Sequence, residues 1–178
     1  MSGRWAVIVN GPPGSGKTSL AALLAERLGV PLLAKDLVKE TLLDELGYAD
    51  RDASRRIGAA SGEVLWTVLR GCPRGAVVES WLSPEIRDVV RAGLARAEVD
   101  RVVEVWCDCP PELALRRYAE RRRHPGHFDD VLLPDLPDVL ASAEPLGLGP
   151  VVRVPTGAPV DLEPLLARLA AELAPPRS

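Results

Sequence analysis

Short apolar runs alternating with amphipathic helical stretches predict an α/β domain built on a mainly parallel sheet. Three observations carry that expectation. The run Trp5 to Val9 is wholly apolar and rich in β-branched residues, the pattern of a strand buried on both faces. A glycine-rich stretch, GPPGSGKTS, follows at Gly11 to Ser19 and leads into an apolar helical repeat. Strand-like and helix-like segments then alternate along the rest of the chain. The 178 residues suit one domain, expected over 1–178.

The elements follow in order. Thr18 to Leu28 places Leu20, Leu23, Leu24 and Leu28 on one helical face, and Gly29 stops it. Pro31 to Ala34 is a second apolar run, ending at Lys35-Asp36, and Val38 to Leu46 reads as a helix closed by Gly47. Ala53 to Arg70 is a longer helix with Ile57, Ala60, Val64, Leu65 and Val68 at helical spacing. Ala76 to Val78 is a third strand, followed by Glu79-Ser80-Trp81. Ser83 is the expected cap of a helix over Pro84 to Ala97, with Ile86, Val89, Val90, Leu94 and Ala97 facing inward. Arg101 to Cys107 is a fourth strand, and Pro111 opens a helix expected to run to about Arg123. His124 to Pro150, rich in Pro, Gly and Asp, is the least regular part. Val151 to Val154 is a fifth strand, and Leu162, Leu165, Leu166, Leu169 and Leu173 mark a last helix before a Pro-rich end.

Composition narrows the function classes. The net charge of −3 excludes a uniformly basic nucleic-acid coat. The cysteines, Cys72, Cys107 and Cys109, are odd in number and complete no zinc spacing, so they read as reduced thiols. The opening apolar run is too short for a signal-peptide core or a membrane span, and the expected location is cytoplasmic.

GPPGSGKTS is a complete phosphate-loop pattern: Gly11, four residues, Gly16, Lys17, Thr18, set between a buried strand and a helix. The glycines let backbone N–H groups approach an anion, with Pro12, Pro13 and Ser15 as the rest of the cradle. The helix start at Lys17 adds unpaired N–H groups and the positive end of its dipole. Lys17 can reach the outer phosphates, and the Thr18 hydroxyl can ligate Mg²⁺. The expected ligand is therefore a nucleoside triphosphate with Mg²⁺.

Three further groups bear on where the terminal phosphate goes. No guanine-reading NKxD is present, and the third strand ends in Glu79-Ser80 rather than adjacent acids. Glu79 can hold magnesium through water, hold substrate, or simply end a strand. Asp36, just after the second strand, lies at the end of the sheet where ligands bind. It can accept the proton of an attacking hydroxyl or cap the next helix, or do both. Arg116, Arg117, Arg121, Arg122 and Arg123 precede the irregular segment. Arg117 and Arg121, four apart on one helix, read as part of a lid over about 111–138, against the alternative of a solvated charged face. His124 and His127 read as lid-loop or surface residues rather than metal ligands, since no HExxH or CxxC spacing is present.

The order GPPGSGKTS, LLAKDLVKE, VVES, CDCPPELALRRYAERRR resembles the small P-loop kinases, the group of zeta toxins, polynucleotide 5′-kinases, chloramphenicol phosphotransferase and gluconate kinases. The resemblance implies a P-loop three-layer sandwich with helices on both faces of a parallel sheet of strand order 2-3-1-4-5. It implies ATP and Mg²⁺ as cofactors, Asp36 as base on an acceptor hydroxyl, and Arg117 and Arg121, with Arg122 or Arg123, on the ATP phosphates. It implies an adenine-reading loop at Thr156-Gly157-Ala158-Pro159. The expected activity is γ-phosphate transfer to a hydroxyl of a small molecule, with Lys35, Lys39, Glu79 and Trp81 bordering the acceptor. A polynucleotide or nucleoside 5′-hydroxyl kinase is one alternative, with the net charge and few aromatics against it. An ATP-binding regulator without an acceptor is another.

Overall fold

The computed structural model describes residues 3–175; residues 1–2 and 176–178 of the expected domain, with the end of the Pro-rich tail, lie outside them. The chain runs β1 (Arg4–Asn10), α1 (Lys17–Leu28), β2 (Leu32–Ala34), α2 (Lys35–Leu46), α3 (Arg51–Arg70), β3 (Gly75–Glu79), α4 (Arg87–Arg96), β4 (Val99–Asp108), α5 (Pro111–Glu120), α6 (Asp129–Leu132), α7 (Leu136–Ser142), β5 (Val151–Pro155) and α8 (Leu162–Leu173). The five strands form one sheet of order β2-β3-β1-β4-β5, with every pairing parallel. This is the α/β P-loop architecture expected from the sequence.

β1 shows why the sheet is buried on both faces. Side chains alternate, so Trp5, Val7 and Val9 enter one core while Ala6 and Ile8 enter the other. The first core is closed by α1 and α8, through Leu20, Leu24, Leu165 and Leu169. The second is closed by α3 and α4, through Leu65, Trp66, Leu69, Val90 and Leu94. Burying each such Leu or Val stabilises the fold by about 1.5–3 kcal/mol.

Several expected helix faces shift. On α1, Ala21 and Ala25 are buried with Leu20 and Leu24, whereas Leu23 is 44% exposed. On α3 the buried residues are Ser54, Gly58, Ser61, Leu65, Trp66 and Leu69, while Val64 and Val68 face outward. The inward side of α3 carries small residues because other chain segments pack close: the Ser54 hydroxyl donates to the Gly126 carbonyl at 2.5 Å. The expected helix over Pro84 to Ala97 splits into a short 3₁₀ turn and α4, with Ile86 and Val89 exposed. Ser83 occupies the cap position of that turn but makes no capping bond to a backbone N–H. α5 ends at Glu120, not near Arg123; Arg121 is already extended, with φ −74° and ψ 144°.

A buried polar knot lies beneath the phosphate loop. Glu104, 1% exposed on β4, accepts hydrogen bonds from Asn10 Nδ2, Leu146 N and Gly147 N, each at 2.9 Å. Asn10 in turn accepts from the N–H groups of Gly11 and Leu82 and donates to the Leu82 carbonyl. The knot joins β1, β4, the segment after β3 and the segment before β5. Glu104→Ala would strand three donors in the core, so a loss on the order of 3–5 kcal/mol is expected, read as a lower midpoint in urea unfolding.

Candidate active site

The site forms where β1, β2 and β3 end. Gly16 occupies the N-cap position of α1 with φ +88°, no side chain caps the helix, and no acidic residue occupies its first turn. The first N–H groups of α1 and its dipole are thus left for an anion. Gly14 has φ +78°, and a Cβ there would stand 2.1 Å from the Ala114 carbonyl oxygen. Any side chain at Gly14 would push α5 away from the loop.

Lys17 Nζ folds back and donates to the Pro12 carbonyl at 2.9 Å. Burial lowers its pKa from 10.5 to about 8, although Glu79, Cys107 and Asp36 oppose that shift. Thr18 Oγ1 donates to Glu79 Oε1 at 3.4 Å. Burial raises the Glu79 pKa, with Lys17 and the Thr18 bond pulling it back. Cys107, fully buried under the loop, is pushed up to about 12 by desolvation and remains a thiol. Ser15 Oγ and Thr156 Oγ1 are buried without a hydrogen-bond partner. Orphaned hydroxyls in and beside the cradle fit a ligand rich in acceptor oxygens.

A cavity of about 450 Å³ opens beside Gly16, lined by Ser19, Leu23, Arg117, Thr156, Ala158 and Pro159 among others. Leu23 faces this cavity instead of the core. Arg117 donates to the Thr156 carbonyl at 3.0 Å and reaches Cys109 Sγ at 3.5 Å, which fixes it over Gly16. Pro13 belongs to the loop turn, where Ser15 N donates to the Pro12 carbonyl at 3.2 Å.

Asp36 does not cap α2. The cap position is Ala34, and Asp36 lies in the first helical turn with its carboxylate on Arg123. The dipole of α2 favours a carboxylate there. Arg121 lies over the Tyr118 ring at 4.0 Å and pairs with Asp129 at 3.6 Å, so it does not share a helix face with Arg117. Arg116 and Arg122 are exposed. Asp129, which sequence reasoning missed, is the hub: it accepts from Tyr118 at 2.6 Å and also meets Arg121 and Arg123. The two histidines bind α2, His124 to Asp44 at 3.0 Å and His127 to Glu40 at 2.7 Å. Burial and the neighbouring Arg123 lower the His127 pKa.

Lys35 and Lys39 line a second cavity of about 590 Å³ with α3 and α4. Trp81 is not among its walls; it packs on Trp106, with ring centroids 6.3 Å apart, and borders a separate hollow with Val139 and Ser142. Asn10 and Glu104 also escaped the sequence reading. The available signal was a lone acid inside a strand that is otherwise apolar from Val102 to Trp106.

A glycine loop between a buried parallel strand and an uncapped helix, with a partly buried lysine and a hydroxyl at the helix start, defines a P-loop nucleotide-binding protein. The family profile described as an AAA domain matches residues 7–146, and the chain belongs to that family. No curated protein matches it. Among solved structures it is similar to a Chloroflexus aurantiacus protein described provisionally as a kinase, at 30% identity and TM-score 0.84, covering 97% of this chain and 100% of that one. It is similar to a gluconokinase from Sinorhizobium meliloti at 25% identity and TM-score 0.59, covering 97% of each chain. A sugar kinase from a Janibacter species shares the fold at 23% identity and TM-score 0.62, covering 96% of this chain and 94% of that one. No helix among the described residues is long and apolar enough to cross a membrane.

Proposed function

We propose that the chain is an ATP-dependent phosphotransferase that moves the γ-phosphate to a hydroxyl of a small molecule, with Asp36 as general base. The observation that carries this reading is the gathering of Lys17, Thr18, Glu79 and Asp36 at adjoining strand ends, close enough that both carboxylates act on the Lys17 charge. The kinase descriptions of the similar structures support the same class.

In this reading the amides of Gly11 to Ser19 and the uncapped start of α1 hold the phosphates. Lys17 leaves the Pro12 carbonyl for the outer phosphates. Mg²⁺, held by Thr18 with Glu79 beside it, would neutralise charge on the phosphates during transfer. Arg117 stays over Gly16, and the 156–159 loop faces the base. Asp36 exchanges its contact with Arg123 for the acceptor hydroxyl and takes its proton. The segment over 111–138 acts as a lid, and Arg121 and Arg123 then face the transferring group. Positioning and electrostatics supply most of the rate.

The test is to incubate the protein with ATP, Mg²⁺ and a metabolite extract. ATP loss is expected to depend on the extract and to be matched by a new, phosphatase-sensitive phosphomonoester. ATP loss that ignores the extract and yields only inorganic phosphate contradicts the reading.

A further inference from the structure

The net charge is −3, yet all three lysines of the chain lie around Asp36. Six carboxylates of this region already face cations. Asp36 faces Arg123, Glu40 faces His127, and Asp44 faces His124. Asp52 faces Arg55, Glu63 faces Arg96, and Asp129 takes Arg121 and Arg123. Lys35 and Lys39 have no ion-pair or hydrogen-bond partner among the described residues; the charges acting on both are those of Asp36 and Arg123, with Lys35 and Asp129 acting also on Lys39. Two ammonium groups four residues apart on one helix face repel one another. Both are partly buried, which adds a desolvation cost that an anion between them would offset.

The cavity these lysines line has the size of a small-molecule site. Trp66, Leu82, Ile86, Val89 and Val90 give it an apolar lining, and its two other charged residues, Arg55 and Glu63, are already in ion pairs with Asp52 and Arg96. Its floor on α3 lacks side chains at two points. The Lys39 stem lies over Gly58, where a Cβ would be 3.5 Å from Lys39 Cε, and a Cβ at Gly62 would meet nothing within 4 Å. The cavity therefore offers two cations without an ion-pair partner, Lys35 and Lys39, beside an open apolar slot.

We infer that this cavity takes a hydroxylated organic anion, a carboxylate or phosphate monoester with an apolar body, whose charge lies between Lys35 and Lys39. Calling that anion the acceptor rests on the kinase reading; the anion site itself does not.

Calorimetry on the full chain, with a non-hydrolysable ATP analogue and Mg²⁺, tests it. The probes are shikimate, phenyllactate and glycerate, each beside its methyl ester, and glycerol phosphate beside glycerol. At least one anion is expected to bind roughly tenfold or more tightly than its neutral counterpart, and the pair that shows the gap identifies the headgroup. The gap should shrink in Lys35→Gln and in Lys39→Gln and survive in Lys39→Arg. Gly62→Leu fills open space with a better helix former, so it should weaken anion binding while analogue affinity and Tm hold. A panel in which no anion outbinds its neutral partner, including one in which nothing binds, overturns the inference, as does a gap indifferent to both lysine changes. Anions that bind through the lysines, while a metabolite extract with ATP yields only inorganic phosphate, would sink the kinase reading and leave the anion site standing. Equal transfer to acid and ester would do the reverse.

Discussion

Lys17→Met is expected to lower the turnover of phosphate transfer by roughly a hundred- to a thousand-fold, the loss that follows removal of one charged donor from a developing anion. The same change should raise stability in the absence of nucleotide. Lys17 is partly buried and desolvation brings its pKa from 10.5 to about 8, so at neutral pH the fold holds a charged ammonium against its environment. Between about 8 and 10.5 the unfolded chain binds the extra proton, so this group makes wild-type stability rise with pH across that window. Below about 8 its full cost is present, on the order of 3 kcal/mol from the shift. The methionine variant should lack the rise and melt several degrees higher at pH 7. Phosphates reverse the balance by giving Lys17 a counter-charge, so wild-type ATP affinity should weaken as pH climbs past about 8. Thermal melts of both proteins with and without ATP check each limb. A variant that melts lower without nucleotide, or transfers phosphate normally, contradicts the role given to Lys17.

Asp36→Asn is the second large effect. The amide keeps the shape of the side chain but cannot take a proton, so turnover should fall by roughly a hundred- to ten-thousand-fold. Stability should barely move. The Asp36 side chain is 51% exposed, and its pair with Arg123 is of the partly solvated kind, worth about 1 kcal/mol or less. ATP affinity should also hold, because the carboxylate meets the acceptor and not the nucleotide. A large loss of Tm or of ATP binding would make Asp36 a structural anchor for the 121–129 segment instead.

Much of this was legible in the chain. Val7 and Val9 against Ile8 announce a strand with two buried faces, and GPPGSGKTS carries its own geometry in Gly14 and Gly16. The end of α5 was not legible. Nothing in the helix pattern stops it at Glu120; Arg121 turns over Tyr118 toward Asp129, and Arg123 reaches Asp129 and Asp36, the last brought near only by the fold. The face of α3 was misread because periodicity of large apolar residues points to Val64 and Val68, whereas close packing selects Ser54, Gly58 and Ser61. Asp36 as a cap was a sound local reading that Ala34 displaced, since α2 starts immediately after β2 with no intervening turn.

Transfer of labelled γ-phosphate, by wild type and Asp36→Asn side by side, tests the central claim most directly. Each protein is given labelled ATP, Mg²⁺ and a fractionated metabolite extract. The account predicts a labelled organic phosphate with wild type and only a trace with the variant, while both proteins bind ATP alike. Label found solely as inorganic phosphate, in equal amounts with both proteins, would contradict it.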